Sequence, residues 1–273
     1  MSAALPEVEH LALTEAPGGV LHVTLSRPKV RNAMSLAMVE ELEKVLDAAR
    51  AGGIRVLVLR GAGGHFCAGG DVSDMARARG TTMAPGAPDP VAEVSRRFGT
   101  VITKWDRAPQ VVIAVLEGAV LGGGMGLACV ADVAIAKADA RFGLPETSLG
   151  LPPAQIAPFL VQRLGKSTAR RLAVTGGRFD GRQAHSMGLV HHVCEDEATL
   201  ESTLHATLAK IRKCAPGAIA MTKALIAEVG RRDHEALLDD AAARFSEAVR
   251  GAEGMEGTAA FLAKRRPSWA DSQ

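Results

Sequence analysis

The chain is 273 residues long, 47% hydrophobic and 23% charged, a balance that supports a packed core of ordinary size and excludes a disordered chain. Its formal net charge of +2, with only 3% aromatic residues and no tyrosine, excludes the basic, stacking-rich surface of a dedicated nucleic-acid binder. Four scattered cysteines, Cys67, Cys129, Cys194 and Cys214, make no CxxC pair and read as free thiols in a reducing compartment.

Residues Met1–His10 carry Glu7 and Glu9 and no basic segment followed by an apolar one, so no signal peptide is expected. Val20–Leu25 reads as a strand. Ser35–Arg50 reads as a helix, with Leu36, Val39, Leu42, Val45 and Leu46 recurring on one face. Arg55–Leu59, Val111–Leu116 and Val133–Ala136 are short apolar runs suited to a sheet covered on both faces. Strands alternating with helices predict right-handed crossover units and the α/β class. Gly80–Pro90, holding Pro85, Gly86, Pro88 and Pro90, predicts a mobile loop. The longest uncharged apolar stretch lies between Glu117 and Asp132. It is shorter than the roughly 18 residues of a membrane span and is broken by four glycines, so a cytoplasmic protein with no membrane partner is expected. Further on, Gln155–Leu164, Ser167–Val174 and Arg182–Met187 read as short helices and Leu189–Val193 as a last strand. From Glu197 the pattern is helical: Leu200–Lys213, Ala218–Val229, His234–Val249 and Met255–Lys264. This divides the chain into a core of residues 1–196 and a helical region of residues 197–273.

Several motifs fail on their spacing. Gly165-Lys166-Ser167 ends like a phosphate-binding loop, but the earlier glycine is replaced by Leu160, and a helix connection is the better reading. Gly61-Ala62-Gly63 meets Phe66 where a dinucleotide fingerprint needs Gly or Ala. His191 and His192 are adjacent on an expected strand and point to opposite faces, so with Cys194 they make no metal site. Two glycine segments, His65–Asp71 and Gly118–Met125, each follow a strand and open a probable helix. Glycines there leave backbone N–H groups uncovered at a positive helix end. Two such N–H groups converging on one oxygen would form an oxyanion hole. Either segment alone reads as a tight turn.

Five segments occur in the order of one known family: Arg27–Met34, Phe66–Asp71, the Gly122–Gly124 triplet, Phe142–Glu146 and Phe261–Arg265. On these the chain resembles the enoyl-CoA hydratase/isomerase (crotonase) family along nearly its whole length. The resemblance implies a spiral of β-β-α turns, a C-terminal helical region that trimerises, and a homotrimer or a hexamer made of two trimers. It implies an acyl-CoA thioester substrate and no cofactor beyond the coenzyme A that the substrate carries. It makes Gly70 and Gly123 the oxyanion-hole donors and Glu146 the acid–base residue. Lys29, Val30, Ala68 and Asp71 would line the coenzyme A path, with Phe261 and Lys264 reaching the coenzyme A of a neighbouring subunit.

One departure sharpens the expectation. Two residues after the glycine triplet, where the familiar hydratases carry their first glutamate, this chain has Gly126. The segment Leu149–Pro158 also replaces the glycine-rich turn usual after the catalytic glutamate. In both respects the chain resembles bacterial hydratases of branched glutaconyl-CoA substrates, isohexenylglutaconyl-CoA hydratase first and methylglutaconyl-CoA hydratase next. The expected activity is addition of water across C2=C3. An isomerase working with a single glutamate and a non-catalytic acyl-CoA-binding protein are the alternatives.

Overall fold

A computed structural model describes residues 4–82 and 86–270. The chain opens with an antiparallel pair, β1 (Leu11–Ala16) and β2 (Val20–Leu25), followed by helix α1 (Leu36–Ala51) and strand β3 (Val56–Gly61). Helices α2 (Val72–Arg79) and α3 (Pro90–Asp106) precede strands β4 (Val111–Leu116) and β5 (Ala119–Leu121). Helix α4 (Gly123–Val130) leads to β6 (Val133–Lys137) and β7 (Arg141–Gly143). Then come α5 (Ala157–Thr175), β8 (Arg178–Phe179), α6 (Gly181–Ser186) and β9 (His192–Cys194). Helices α7 (Glu197–Arg212), α8 (Pro216–Glu228), α9 (His234–Arg250) and α10 (Ala252–Leu262) complete the chain.

Six strands form one sheet in the order β1-β2-β3-β4-β6-β9, parallel from β2 onward, and β5-β7-β8 form a second, smaller sheet. Two turns, β4-β5-α4 and β6-β7-α5, each add one strand to each sheet and then a helix, which is the repeat of the expected spiral of β-β-α turns. Strand β4 shows why both of its faces are apolar. Val112, Ala114 and Leu116 pack into the larger core cluster with α1, α3 and α4, whereas Val111, Ile113 and Val115 pack with Leu200, Leu204 and Leu208 of α7. Alternate side chains of one strand thus fill two layers.

The apolar periodicity placed α1 within a residue at each end, and Ser35 caps it by accepting from the Met38 N–H. The expected strand Arg55–Leu59 runs instead from Val56 to Gly61. The last strand is a clearer correction: expected over Leu189–Val193, it forms at His192–Cys194. The Leu189 carbonyl is held by the Arg163 guanidinium at 3.1–3.2 Å, so the buried Leu189 and Val190 lie outside the ladder. His191 adds a further tie, its Nδ1 accepting from the Ala134 N–H at 2.9 Å. The pieces Gln155–Leu164 and Ser167–Val174 are two halves of α5, broken where Gly165 adopts φ 72°, ψ 161°. The expected loop Gly80–Pro90 lies between α2 and α3, with residues 83–85 outside the described set and Pro90 already the first residue of α3.

The boundary expected at residue 196 falls at the capping residue of α7, whose leucines pack on the sheet. Arg60 of β3 pins the helix further, pairing with Glu197 and Glu201 of α7 as well as with Glu117. Helices α8 and α9 bury no residue and α10 buries only Ala260. No helix among the described residues is long and apolar enough to cross a membrane.

Candidate active site

Two chain segments bring backbone N–H groups to one place. Phe66–Asp71 is stitched to its neighbours by isolated parallel bridges, Cys67 to Val120 and Met34 to Gly70. Met34 donates to the Gly69 carbonyl and accepts from the Asp71 N–H, both at 2.8 Å, so the Gly70 N–H points away from that pairing. The Arg27 guanidinium fastens the segment from outside, pairing with Asp71 at 2.8 Å and donating to the Ala33 carbonyl. Buried Asn32 donates to the Ala62 and His65 carbonyls at 2.9 and 2.6 Å.

The second segment is the start of α4. Gly122 has φ 48°, a conformation that a side chain would strain, and it turns β5 sharply into the helix. The Gly123 N–H is then the first of a helix whose eight residues are all buried, an uncovered donor at the positive helix end. Among the described residues no oxygen accepts from the Gly70 or the Gly123 N–H. Any side chain at 123 would collide with Met34 Cε and with Phe98 Cζ, the latter 2.9 Å from a Cβ there.

Glu146 faces this corner. It sits in the first turn of the 3-10 helix Pro145–Leu149, which Pro145 starts and Gly150 closes with its N–H on the Glu146 and Thr147 carbonyls. Its Oε1 lies 2.7 Å from where a Cβ of Gly122 would stand, so the glycine turn and the carboxyl fit only together. Glu146 Oε2 is buried with no hydrogen-bond partner. Burial pushes the Glu146 carboxyl above the usual carboxylate range, its own backbone N–H pulling less strongly the other way.

Gly70, Gly123 and Glu146 open together into a cavity of about 310 Å³. Its walls come mainly from Met34, Met75, Val91, Val94, Phe98, Leu151, Pro152 and Ile156, with Asp71, Asp74, Ser95 and Gln155 as the remaining polar side chains. Such an apolar chamber, with a few polar groups at fixed places, suits an acyl group whose reacting end must be oriented. Gly126 is fully buried beneath this chamber and contributes nothing to its wall. A Cβ at 126 would stand 2.6 Å from Ile102 Cδ1 and 3.5 Å from Ile156 Cγ1. A side chain at that position would therefore have to displace the end of the Ile102 side chain while resting in ordinary contact with Ile156.

The other expected site residues are spread more widely. Asp71 lines the cavity, and Ala68 lies three residues before it, donating its N–H to the Arg31 carbonyl. Lys29 and Val30 form an exposed 3-10 turn that ends in left-handed Arg31 and Asn32. Phe261 is 82% exposed at the end of α10, followed by left-handed Lys264, and neither lines the cavity of its own chain. Met34, Phe98, Ile102 and Gln155 were missed from sequence. The α3 residues among them had a readable signal, since Asp89 and Pro90 followed by Glu93 mark a helix start.

A spiral of β-β-α turns with two free glycine N–H groups and a buried carboxyl on one apolar cavity defines a class of acyl-binding acid–base sites. The comparisons with known proteins give that class its family. The family description enoyl-CoA hydratase/isomerase matches residues 15–272, and the chain belongs to that family of enzymes. Among solved structures, Pseudomonas aeruginosa AtuE is similar at 56% identity and TM-score 0.91, covering 96% of this chain and 100% of that one. An enoyl-CoA hydratase/isomerase from Marinobacter aquaeolei is similar at 51% identity and TM-score 0.93, covering 96% and 99%. Among curated proteins, the enoyl-CoA hydratase ACTT6 of Alternaria alternata is 33% identical over 257 residues, 92% of this chain and 81% of its own length.

Proposed function

We propose that this chain is a hydro-lyase that adds water across C2=C3 of a branched, carboxylated enoyl-CoA of the isohexenylglutaconyl-CoA type. The observation that carries the reading is the Glu146 carboxyl beside two uncommitted glycine N–H groups, with a glycine at position 126 against which Ile102 packs.

In this reading the thioester carbonyl oxygen accepts from the Gly70 and Gly123 N–H groups. Ionised Glu146 takes a proton from water as its oxygen bonds to C3, and the C2=C3 electron pair moves onto the thioester as an enolate. The two N–H groups hold that negative charge, each donor typically contributing about 3–4 kcal/mol of transition-state stabilisation. Glu146 then returns the proton to C2 and is ready again. Its upward-shifted pKa makes it a stronger base when ionised and brings its acid form closer to neutral pH. The reaction balances with water alone, so no cofactor is required. Lys29, Val30, Ala68 and Asp71 lie along the coenzyme A path, and Phe261 and Lys264 reach the coenzyme A of a neighbouring subunit in a homotrimer or a hexamer of two trimers. Exposed apolar side chains on α8–α10, Phe245 and Leu262 among them, support that assembly. Four free thiols fit a cytoplasmic location.

A lone carboxyl also favours an isomerase, in which Glu146 carries a proton from one carbon to another. Supplying isohexenylglutaconyl-CoA, crotonyl-CoA and a 3-enoyl-CoA separately decides between them. Hydration of the branched substrate with little turnover of crotonyl-CoA supports the lyase. Conversion of the 3-enoyl-CoA to its 2-enoyl isomer, with no hydration of either other substrate, makes it an isomerase. Tight acyl-CoA binding with no turnover of any of them makes it a non-catalytic acyl-CoA-binding protein.

A further inference from the structure

Among the described residues, no lysine, arginine or histidine lines the cavity, although the substrate proposed above carries a carboxylate beside its reacting double bond. The cavity's acids are accounted for. Asp71 is paired with Arg27 and accepts from Ser73, and Asp74 accepts from the Leu36 N–H at 2.7 Å and faces Arg77. Two neutral polar side chains are left on the wall, Ser95 of α3 and Gln155, and they are joined to each other by one long hydrogen bond, Gln155 Nε2 to Ser95 Oγ at 3.4 Å. Among the described residues, that bond leaves the Ser95 hydroxyl proton and one Gln155 N–H without an acceptor.

Local packing holds these donors in place. The Gln155 amide lies in the notch that Gly99 leaves on α3, where a Cβ would overlap its Oε1 and stand 2.8 Å from its Cδ. Arg96, on the same helix, brings Nη1 to 3.1 Å from that same point. The exposed Arg96 guanidinium, which also donates to Thr100 Oγ1 at 3.3 Å, therefore lies close to the amide but outside the cavity wall, and biases this end of an otherwise apolar chamber toward a negative group.

We infer that Ser95 and Gln155 form a subsite that receives the carboxylate of the branched acyl group, with Arg96 supplying positive charge close by, off the cavity wall. The inference rests on the substrate reading above. In that reading the enolate oxygen is held at one corner by glycine N–H groups. The carboxylate is held on the α3 wall, and the remaining acyl chain fills the apolar volume. The acyl group is thereby fixed at two points, and C3 is presented to Glu146 in one orientation.

The test compares the carboxylated branched enoyl-CoA with a counterpart in which a methyl ester replaces the carboxylate. Wild type, Gln155→Leu, Ser95→Ala and Gly99→Ala are each assayed, with melting temperatures measured to confirm folding. Loss of one charge-assisted hydrogen bond predicts a drop in kcat/KM of about ten- to a hundred-fold for the carboxylated substrate in Gln155→Leu. The effect should fall mainly on KM, and the ester should change by less than about three-fold. Ser95→Ala follows in the same direction. Gly99→Ala, which displaces the amide while keeping every donor, gives the same selective loss. If a folded Gln155→Leu loses activity equally on both substrates, or on neither, the subsite is overturned while the lyase reading stands. If wild type turns over neither branched substrate, the substrate reading itself fails and the subsite with it.

Discussion

Glu146 holds a buried, unpartnered oxygen in an apolar wall, so ionising it costs the folded state more than the unfolded one. Its pKa is raised on folding, and the sign follows from that. Below the ordinary carboxylate range both states are protonated and the group is neutral to stability. As pH rises through the ordinary value toward the folded one, stability is lost, and the penalty stays in place above it. Glu146→Gln removes the charge and keeps the shape. The variant should therefore melt at or above the wild-type temperature at neutral pH, with the difference vanishing as pH falls below about 4. A variant clearly less stable than wild type at pH 7 would mean that the ionised carboxylate has a favourable partner. Gly126 makes an independent case. Gly126→Glu must displace the end of the Ile102 side chain and bury a carboxyl against Ile156, so it should lose stability by about 1–3 kcal/mol from overpacking alone and gain no hydration of crotonyl-CoA. Adding Ile102→Ala should recover part of the stability; rapid crotonyl-CoA hydration by the single variant would show that the position opens into the site. At this scale the two glycine segments were legible from their place after strands, whereas the choice of Gly70, Gly123 and Glu146 within the chain came from the family resemblance. The isoleucines beside position 126 were not legible, because they come from α3 and from the segment before α5, and only the folded chain brings them under α4.

The elements that sequence patterns revealed are those with enough length to show a period. Helix α1 has seven buried residues on one face and a serine cap, and every residue of β4 is buried. Strands β5, β7 and β8 have only two or three residues each, too few for alternation to register. Helix α2 is the helix expected after Asp71, whereas α3 went unread although Asp89 and Pro90 mark its start and its apolar residues recur on one face. The expected break between two helices near residue 165 is real and has a backbone cause. Gly165 holds φ 72° and ψ 161°, and nothing lies within 4 Å of a Cβ there. This is a region that only glycine occupies cheaply. Gly165→Ala should therefore cost about 1–3 kcal/mol through backbone strain alone, read as a lower denaturation midpoint with an unchanged denaturant slope. An unchanged midpoint would mean that α5 straightens without penalty.

Across the whole molecule, one strand order accounts for the site. The spiral sets the segment after β3 next to the start of α4, the β5–β7 pair carries Glu146 to the same corner, and α2 with α3 roofs it. The opposite face of the large sheet is covered by α7, which Arg60 ties to the strands through Glu197 and Glu201. Helices α8–α10 present Ile226, Val229, Phe245, Phe261 and Leu262 to the surface, each more than two-thirds exposed. Five large apolar side chains in one region are more than a monomer ordinarily leaves uncovered. Sedimentation should therefore give an oligomer, a trimer or a hexamer on the assembly proposed above, and Phe245→Glu should shift it toward smaller species. A wild-type monomer at micromolar concentration would contradict the assembly. The most direct test of the account is the turnover of isohexenylglutaconyl-CoA by wild type and Glu146→Gln, with acyl-CoA binding measured in parallel. Wild type should hydrate it, and the variant should lose about 10²–10⁴ in kcat with binding retained. Hydration at near wild-type rates by Glu146→Gln would contradict the role of Glu146 and assign the proton transfers to another group.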